Sequence, residues 1–248
     1  VTALAQSAIN YTRMSSYIQS YATLQPANQG QLFDRAMYVV CTQNTGTRLS
    51  LRQYEHVSTV PWTTKDELEQ AMAAGGGGLS PQKASTCWNI YTAMCEGLRL
   101  GHPTRDMGIA EDDPAGIWHK AREKLDAISG LGLKLSSLIL HVTCPFECKL
   151  LVLDTWFARQ GWYDIKPSKR GAYLEAEQHW LSLCERKGWQ YPSIAREILW
   201  STIGQKRVLD ADDTWWTYAL RLEQTSPLIQ PFRSIAITPR PVSLDKPA

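Results

Sequence analysis

Two glycines one residue apart, Gly130 and Gly132, stand between two stretches of helical periodicity, and this arrangement constrains the chain more than any bulk property does. Upstream, Trp118, Ala121, Leu125 and Ile128 lay an apolar stripe along Ile117 to Asp126; downstream, Leu135, Leu138, Ile139 and Val142 recur at i, i+3, i+4 and i+7. Glycine takes positive φ at little steric cost, so the pair predicts a tight turn joining two helices. Such a hairpin leaves the amide N–H groups at the start of its second helix uncovered, where the macrodipole favours an anion such as a DNA phosphate. Lys134 follows just inside that second helix.

The rest of the chain also reads as helices broken by punctuation. Thr2 to Thr23 carries apolar residues at helical spacing, and Pro26, Asn28 and Gly30 interrupt it. A strongly apolar helix is expected from about Gln31, ending in the polar cluster Cys41-Thr42-Gln43-Asn44-Thr45-Gly46. Leu49 to Val57 predicts another helix, and Thr63-Thr64-Lys65-Asp66-Glu67 opens one with a Thr cap and an acidic first turn. The run Gly75 to Gly78 reads as a flexible loop or hinge, and Ser80-Pro81 begins a long helix through Leu98. Later helices are expected over Ala172 to Arg186 and from Ile194 to Ser201, the latter capped by Ser193. From Ser226 onward, five prolines predict an extended tail, either wrapping the domain or disordered.

A length of 248 residues suffices for one domain with a full core or for two small lobes. A net charge of +2 does not steer the whole molecule toward an acidic partner, so a nucleic-acid protein of this composition must gather its basic residues on one face. The six cysteines lack zinc-type pairs and the compact run of an iron–sulfur cluster, and read as reduced structural thiols; no metal and no cofactor is expected. With no basic-then-apolar leader and no apolar run of spanning length, the expectation is a soluble cytoplasmic protein, nucleoid-associated and without a membrane partner.

The segment Gly130-Leu131-Gly132-Leu133-Lys134 resembles the Gly-Val-Gly-x-Lys hairpin of the helix-hairpin-helix DNA glycosylases, and Leu153-Asp154-Thr155 resembles their Val-Asp-Thr segment. Gly78 to Ala84 resembles the Gly-x-x-x-x-Lys-Ala helix start of the same family, so the likeness spans roughly residues 30 to 165. Ser129 departs from it, standing where the family usually has proline. The branch most similar is that of the 8-oxoguanine DNA glycosylase/AP lyases. The resemblance implies an all-α, two-lobed fold with the active site in the cleft between lobes: a catalytic domain over 1–225, its middle lobe about 31–140 and its other lobe the N-terminal helix plus about 141–225, then a Pro-rich tail over 226–248.

The resemblance further implies Lys134 as nucleophile and Asp154 as essential carboxylate. Taken alone, Lys134 reads as a phosphate-binding lysine and Asp154 as a helix N-cap. Gln43 and Asn44 read either as a helix end and loop or, by the same likeness, as the amides that fill the gap left by an extruded base, with Asn44 preferred. Gly130, Gly132 and Arg159 are the expected backbone contacts; the basic loop Lys166, Lys169 and Arg170 reads as a solvated loop or as further ones. Trp200 is either the aromatic that stacks on the extruded base or an ordinary core residue. The implied function is a monomeric base-excision repair enzyme acting on double-stranded DNA that carries a damaged base, 8-oxoguanine foremost. Excision of another modified base, with or without strand cutting, and plain DNA binding without catalysis are the alternatives.

Overall fold

The computed structural model describes residues 9, 11–110, 116–153, 157, 170–204 and 222–237, and the regular elements among these are helices, with no strand. The helices are α1 (Tyr11–Thr23), α2 (Gln29–Cys41), α3 (Thr47–Thr59), α4 (Lys65–Ala74), α5 (Ser80–Cys95), α6 (Ile117–Asp126), α7 (Leu133–Thr143), α8 (Arg170–Arg186) and α9 (Pro192–Gly204), followed by a 3₁₀ turn (Pro227–Ile229) and the one-turn α10 (Gln230–Arg233). No helix among the described residues is long and apolar enough to cross a membrane.

The hydrophobic residues form two cores, which makes the molecule two-lobed. The first is organised around α2, where Leu32, Phe33, Ala36, Met37 and Val40 are completely buried against α3, α5, α7 and α10. Asn28 rather than a later residue starts this helix, because its side chain accepts the amide of Gln31 at 3.0 Å and so satisfies one of the orphan donors of the first turn. Thr64 and Glu67 form a reciprocal capping box at α4. The second core packs α1 against α8 and α9 through Tyr21, Tyr173, Trp180, Leu183, Ile194 and Ile198, and Phe157 is buried within it. Arg13 to Thr202 (2.7 Å) and Tyr17 to Ser201 (2.9 Å) add polar ties between α1 and α9.

Between the cores runs Leu150–Leu153. Its side chains alternate: Leu150 and Val152 enter the first core, Leu151 and Leu153 the second. That is the period of an extended chain with apolar surroundings on both sides. Two buried polar contacts also join helices of different cores, Arg122 of α6 to Glu177 of α8 at 2.8 Å and His141 of α7 to Glu197 of α9 at 3.3 Å. Burial holds the His141 imidazole well below its usual pKa.

Three expectations are corrected. The glycine run is not a loose hinge: a Cβ on Gly75 would lie 2.6 Å from the Gln53 Cα, and one on Gly77 would lie 2.6 Å from the Gln53 side chain, so these glycines let the loop close onto α3. Ser193 does not cap α9, since Pro192 precedes it inside the helix and the Ser193 hydroxyl donates instead to the Cys148 carbonyl at 3.1 Å. The described start of the Pro-rich tail is helical rather than extended, with Pro227 and Pro231 in first-turn positions where no N–H is required. It docks on the first core through Ile229 and Phe232, and Ala236 bridges back to Asn28.

Asp34 secures that docking, accepting the Gln224 amide at 2.9 Å and Arg233 at 3.0 Å. Burial outweighs the pull of Arg233 and raises the Asp34 carboxyl to about 6. With a folded pKa above the unfolded one, Asp34 contributes most to stability below pH ~4 and progressively less as pH rises through ~6. Urea unfolding of the wild type and Asp34→Asn across this range is expected to show the variant gaining on the wild type as pH increases. A difference independent of pH contradicts the assignment.

Candidate active site at the junction of the two cores

The hairpin is built as its sequence requires at one glycine and differently at the other. After α6, Gly130 adopts φ +96°, and a Cβ there would lie 2.1 Å from Thr86 Oγ1 of α5. Both the torsion and the close approach demand glycine. Gly132, expected to share the positive φ, is extended at φ −131° and ψ 177°; it is exposed, and a Cβ on it would meet nothing within 4 Å. It is the N-cap of α7 and, having no side chain, provides no cap of its own, so the start of that helix presents its positive dipole end beside exposed backbone.

Lys134 is the second residue of α7 and is half-buried. Its neighbours place it at the junction of the lobes: Leu133 packs against the second core, while Leu135 is buried in the first. Trp200 of α9, also half-buried, packs against both cores. The inter-core segment ends at Leu153, the residue before Asp154. Asp154 itself and Arg159 lie outside the described residues, as do Lys166 and Lys169. Arg170 is the first residue of α8 and not part of a loop; it bridges to Glu123 at 3.0 Å and Asp126 at 3.3 Å, so its charge is engaged with α6.

The turn that carries Gln43 and Asn44 is held from beneath by a residue whose role the sequence left unread. Lys83 is fully shielded from solvent, and its ammonium donates to Cys41 O (2.8 Å), Thr45 Oγ1 (2.6 Å) and Gln53 Oε1 (2.8 Å). Three donors thus meet three neutral acceptors, while burial pushes the lysine pKa down. Gln53 is the side chain onto which the glycine run closes, and its own amide donates to Met72 O at 3.1 Å. Asn44 is exposed at φ +49°, whereas Gln43 Oε1 is buried without a hydrogen bond among the described residues.

One helix therefore mounts both loops. Along α5, Lys83 grips the turn, Thr86 packs against Gly130, and Asn89 Nδ2 donates to Ser129 O at 2.9 Å. Six residues of helix separate the first grip from the last, about 9 Å of rise. Leu79, in the left-handed region at φ +62° just before α5, and Leu49, near the start of α3, are large hydrophobics left exposed. Neither was singled out by sequence, because a lone leucine carries no signal until its exposure is known.

Neither a protein-family model nor a curated protein sequence matches the chain. Solved structures do. The Methanocaldococcus jannaschii 8-oxoguanine glycosylase/lyase, in complex with a 15mer DNA containing 8-oxoguanine, superposes with a TM-score of 0.58 at 17% identity, covering 79% of this chain and 91% of that one. The Thermotoga maritima 8-oxoguanine DNA glycosylase gives 0.55 at 18% identity, covering 80% and 90%. A second structure of the Methanocaldococcus jannaschii 8-oxoguanine DNA glycosylase gives 0.56 at 18%, covering 79% and 88%. The chain shares the fold of these proteins.

The Gly130 contact makes a direct test of the hairpin. Gly130→Ala is expected to cost about 2 kcal/mol or more, from the positive φ and the collision with Thr86. Adding Thr86→Ala should return only the collision part of that loss in urea unfolding. No recovery at all contradicts the close packing of α5 on the hairpin.

Proposed function

We propose that the chain is a DNA glycosylase that extrudes a modified purine, 8-oxoguanine foremost, and cleaves its N-glycosidic bond, with Lys134 and Asp154 as the reacting pair. The observation that carries this reading is the position of Lys134. It stands in the first turn of a helix whose N-cap is an exposed glycine, at the junction of two lobes, in a fold shared with 8-oxoguanine glycosylases.

The chemistry assigns a part to each residue. Departure of the base develops positive charge on the deoxyribose, which a carboxylate beside C1′ stabilises; Asp154 provides it. The neutral Lys134 amine attacks C1′ as the C1′–N bond breaks, and the base takes up the departing electron pair and a proton. The amine then gives up one proton, and the C1′–O4′ bond breaks as O4′ takes up a proton, opening the sugar ring to a protonated Schiff base. Loss of a C2′ proton and expulsion of the 3′ phosphate complete β-elimination and cut the strand. The N-terminal end of α7, with Gly130 and Gly132, receives a backbone phosphate, and Arg159 another.

Reaching a base inside a duplex requires unstacking it and occupying the hole. Asn44, exposed at the tip of a turn fixed by Lys83, offers a donor and an acceptor to the orphaned partner base; Gln43, with its Oε1 buried, is the less suited of the two amides. Exposed Leu79 and Leu49 are apolar wedges for the opened step. Trp200, at the junction of the cores, stacks on the extruded base. The partner is duplex DNA, engaged by a monomer, in the cytoplasm or nucleoid.

The test is base release from a duplex containing 8-oxoguanine. Asp154→Asn is expected to slow release by about a hundredfold or more while binding persists. Lys134→Gln is expected to abolish strand cutting. Release at the wild-type rate in both variants overturns the assignment, and binding without any release by the wild type leaves a DNA-binding module.

A further inference from the structure

The segment Leu150–Leu153 is extended, yet it has no neighbouring strand among the described residues, so its peptide groups must find partners elsewhere. They find side chains. Glu177 Oε2 accepts the Leu151 amide at 2.8 Å; the Tyr173 hydroxyl donates to Leu151 O at 2.7 Å and accepts the Leu153 amide at 3.1 Å; Arg196 Nε donates to Val152 O at 3.0 Å. Burial raises the Tyr173 hydroxyl to about 12, so it keeps the proton it donates. All three side chains come from α8 and α9.

Glu177 does more than hold backbone. The same Oε2 accepts from Arg122 Nη1 of α6 at 2.8 Å, with both side chains 1% exposed, and Arg122 Nη1 also reaches Ser137 Oγ of α7 at 3.3 Å. His119 of α6 lies 3.3 Å from Glu177 Oε1, and the Arg122 guanidinium sits 5.9 Å from the Tyr173 ring centre. One carboxylate thereby ties the two hairpin helices, which carry Lys134, to the segment that runs into Asp154. A buried ion pair is costly to desolvate and is a poor way to gain stability, so its presence here is better accounted for by the geometry it imposes.

We propose that Glu177 is a positioning residue, which with Tyr173 fixes the placement of the Asp154 segment relative to the hairpin that bears Lys134. This rests on the glycosylase reading above. Neither residue touches DNA in this role; both act through the backbone at Leu151 and Leu153.

The test uses the full chain with Glu177→Gln and, separately, Tyr173→Phe, which removes one oxygen and no charge and decides the matter if the first variant does not fold. In folded protein, single-turnover base release at saturating enzyme is expected to slow about ten- to a hundredfold, as misplacement of a reacting group does, while duplex affinity changes less than about threefold. Amide exchange at Leu151 and Leu153 is expected to accelerate in the same variants. Wild-type release rates in a folded variant, or a loss of affinity that accounts for the whole loss of rate, overturn the proposal and leave the glycosylase reading intact. A wild type that releases no base overturns both, whatever the exchange data show.

Discussion

Four residues of extended backbone, Leu150–Leu153, have to pass between two hydrophobic cores without a sheet to receive their hydrogen bonds. A buried peptide group left unpaired costs about 1–3 kcal/mol, so the segment is tenable only because side chains on α8 and α9 are placed to bond it. Its alternating side chains then weld the lobes, two to each core. The architecture follows from that crossing: α2 through α7 gather on one side, and α1, α8 and α9 on the other. The hairpin lysine stands on the first helix turn beside the junction.

The second organising element is α5. The turn at 41–45 and the hairpin at 127–132 are far apart in sequence, yet both are attached to one face of this helix by Lys83, Thr86 and Asn89. A helix in a packed core is stiff, so the separation of the two loops is set by the fold itself, ahead of the proposed engagement of DNA. Preorganisation of this kind reduces what binding must spend on ordering loops. The glycine run after α4 serves the same end indirectly, by closing onto Gln53, which in turn bonds Lys83.

The helical class, the hairpin and the bounds of α6 were legible in the sequence because apolar periodicity and Gly130 each have a single physical reading. The extended φ of Gly132 and the packed state of Gly75 to Gly77 were not, since a glycine advertises freedom and not which neighbour needs the space. The charged residues that matter most went unread for a common reason. Arg122 lies in the stripe Trp118, Ala121, Leu125; Glu177 lies among Tyr173, Ala176 and Trp180; Lys83 adjoins Ala84 and Cys87. A charge set into an apolar stripe signals a buried partner, but the partner comes from another element and only the folded chain identifies it. The described start of the tail, 226–237, departs from the extended expectation because prolines were weighed as breakers where two of them start helical turns.

The central claim is that the amine of Lys134 reacts with the sugar. Trapping wild-type protein on an 8-oxoguanine duplex with borohydride, digesting the covalent complex and locating the nucleoside adduct by mass spectrometry tests it directly. The adduct is expected on the peptide containing residue 134, at the lysine ε-nitrogen. An adduct confined to another lysine or to the amino terminus, formed while base release proceeds, contradicts it.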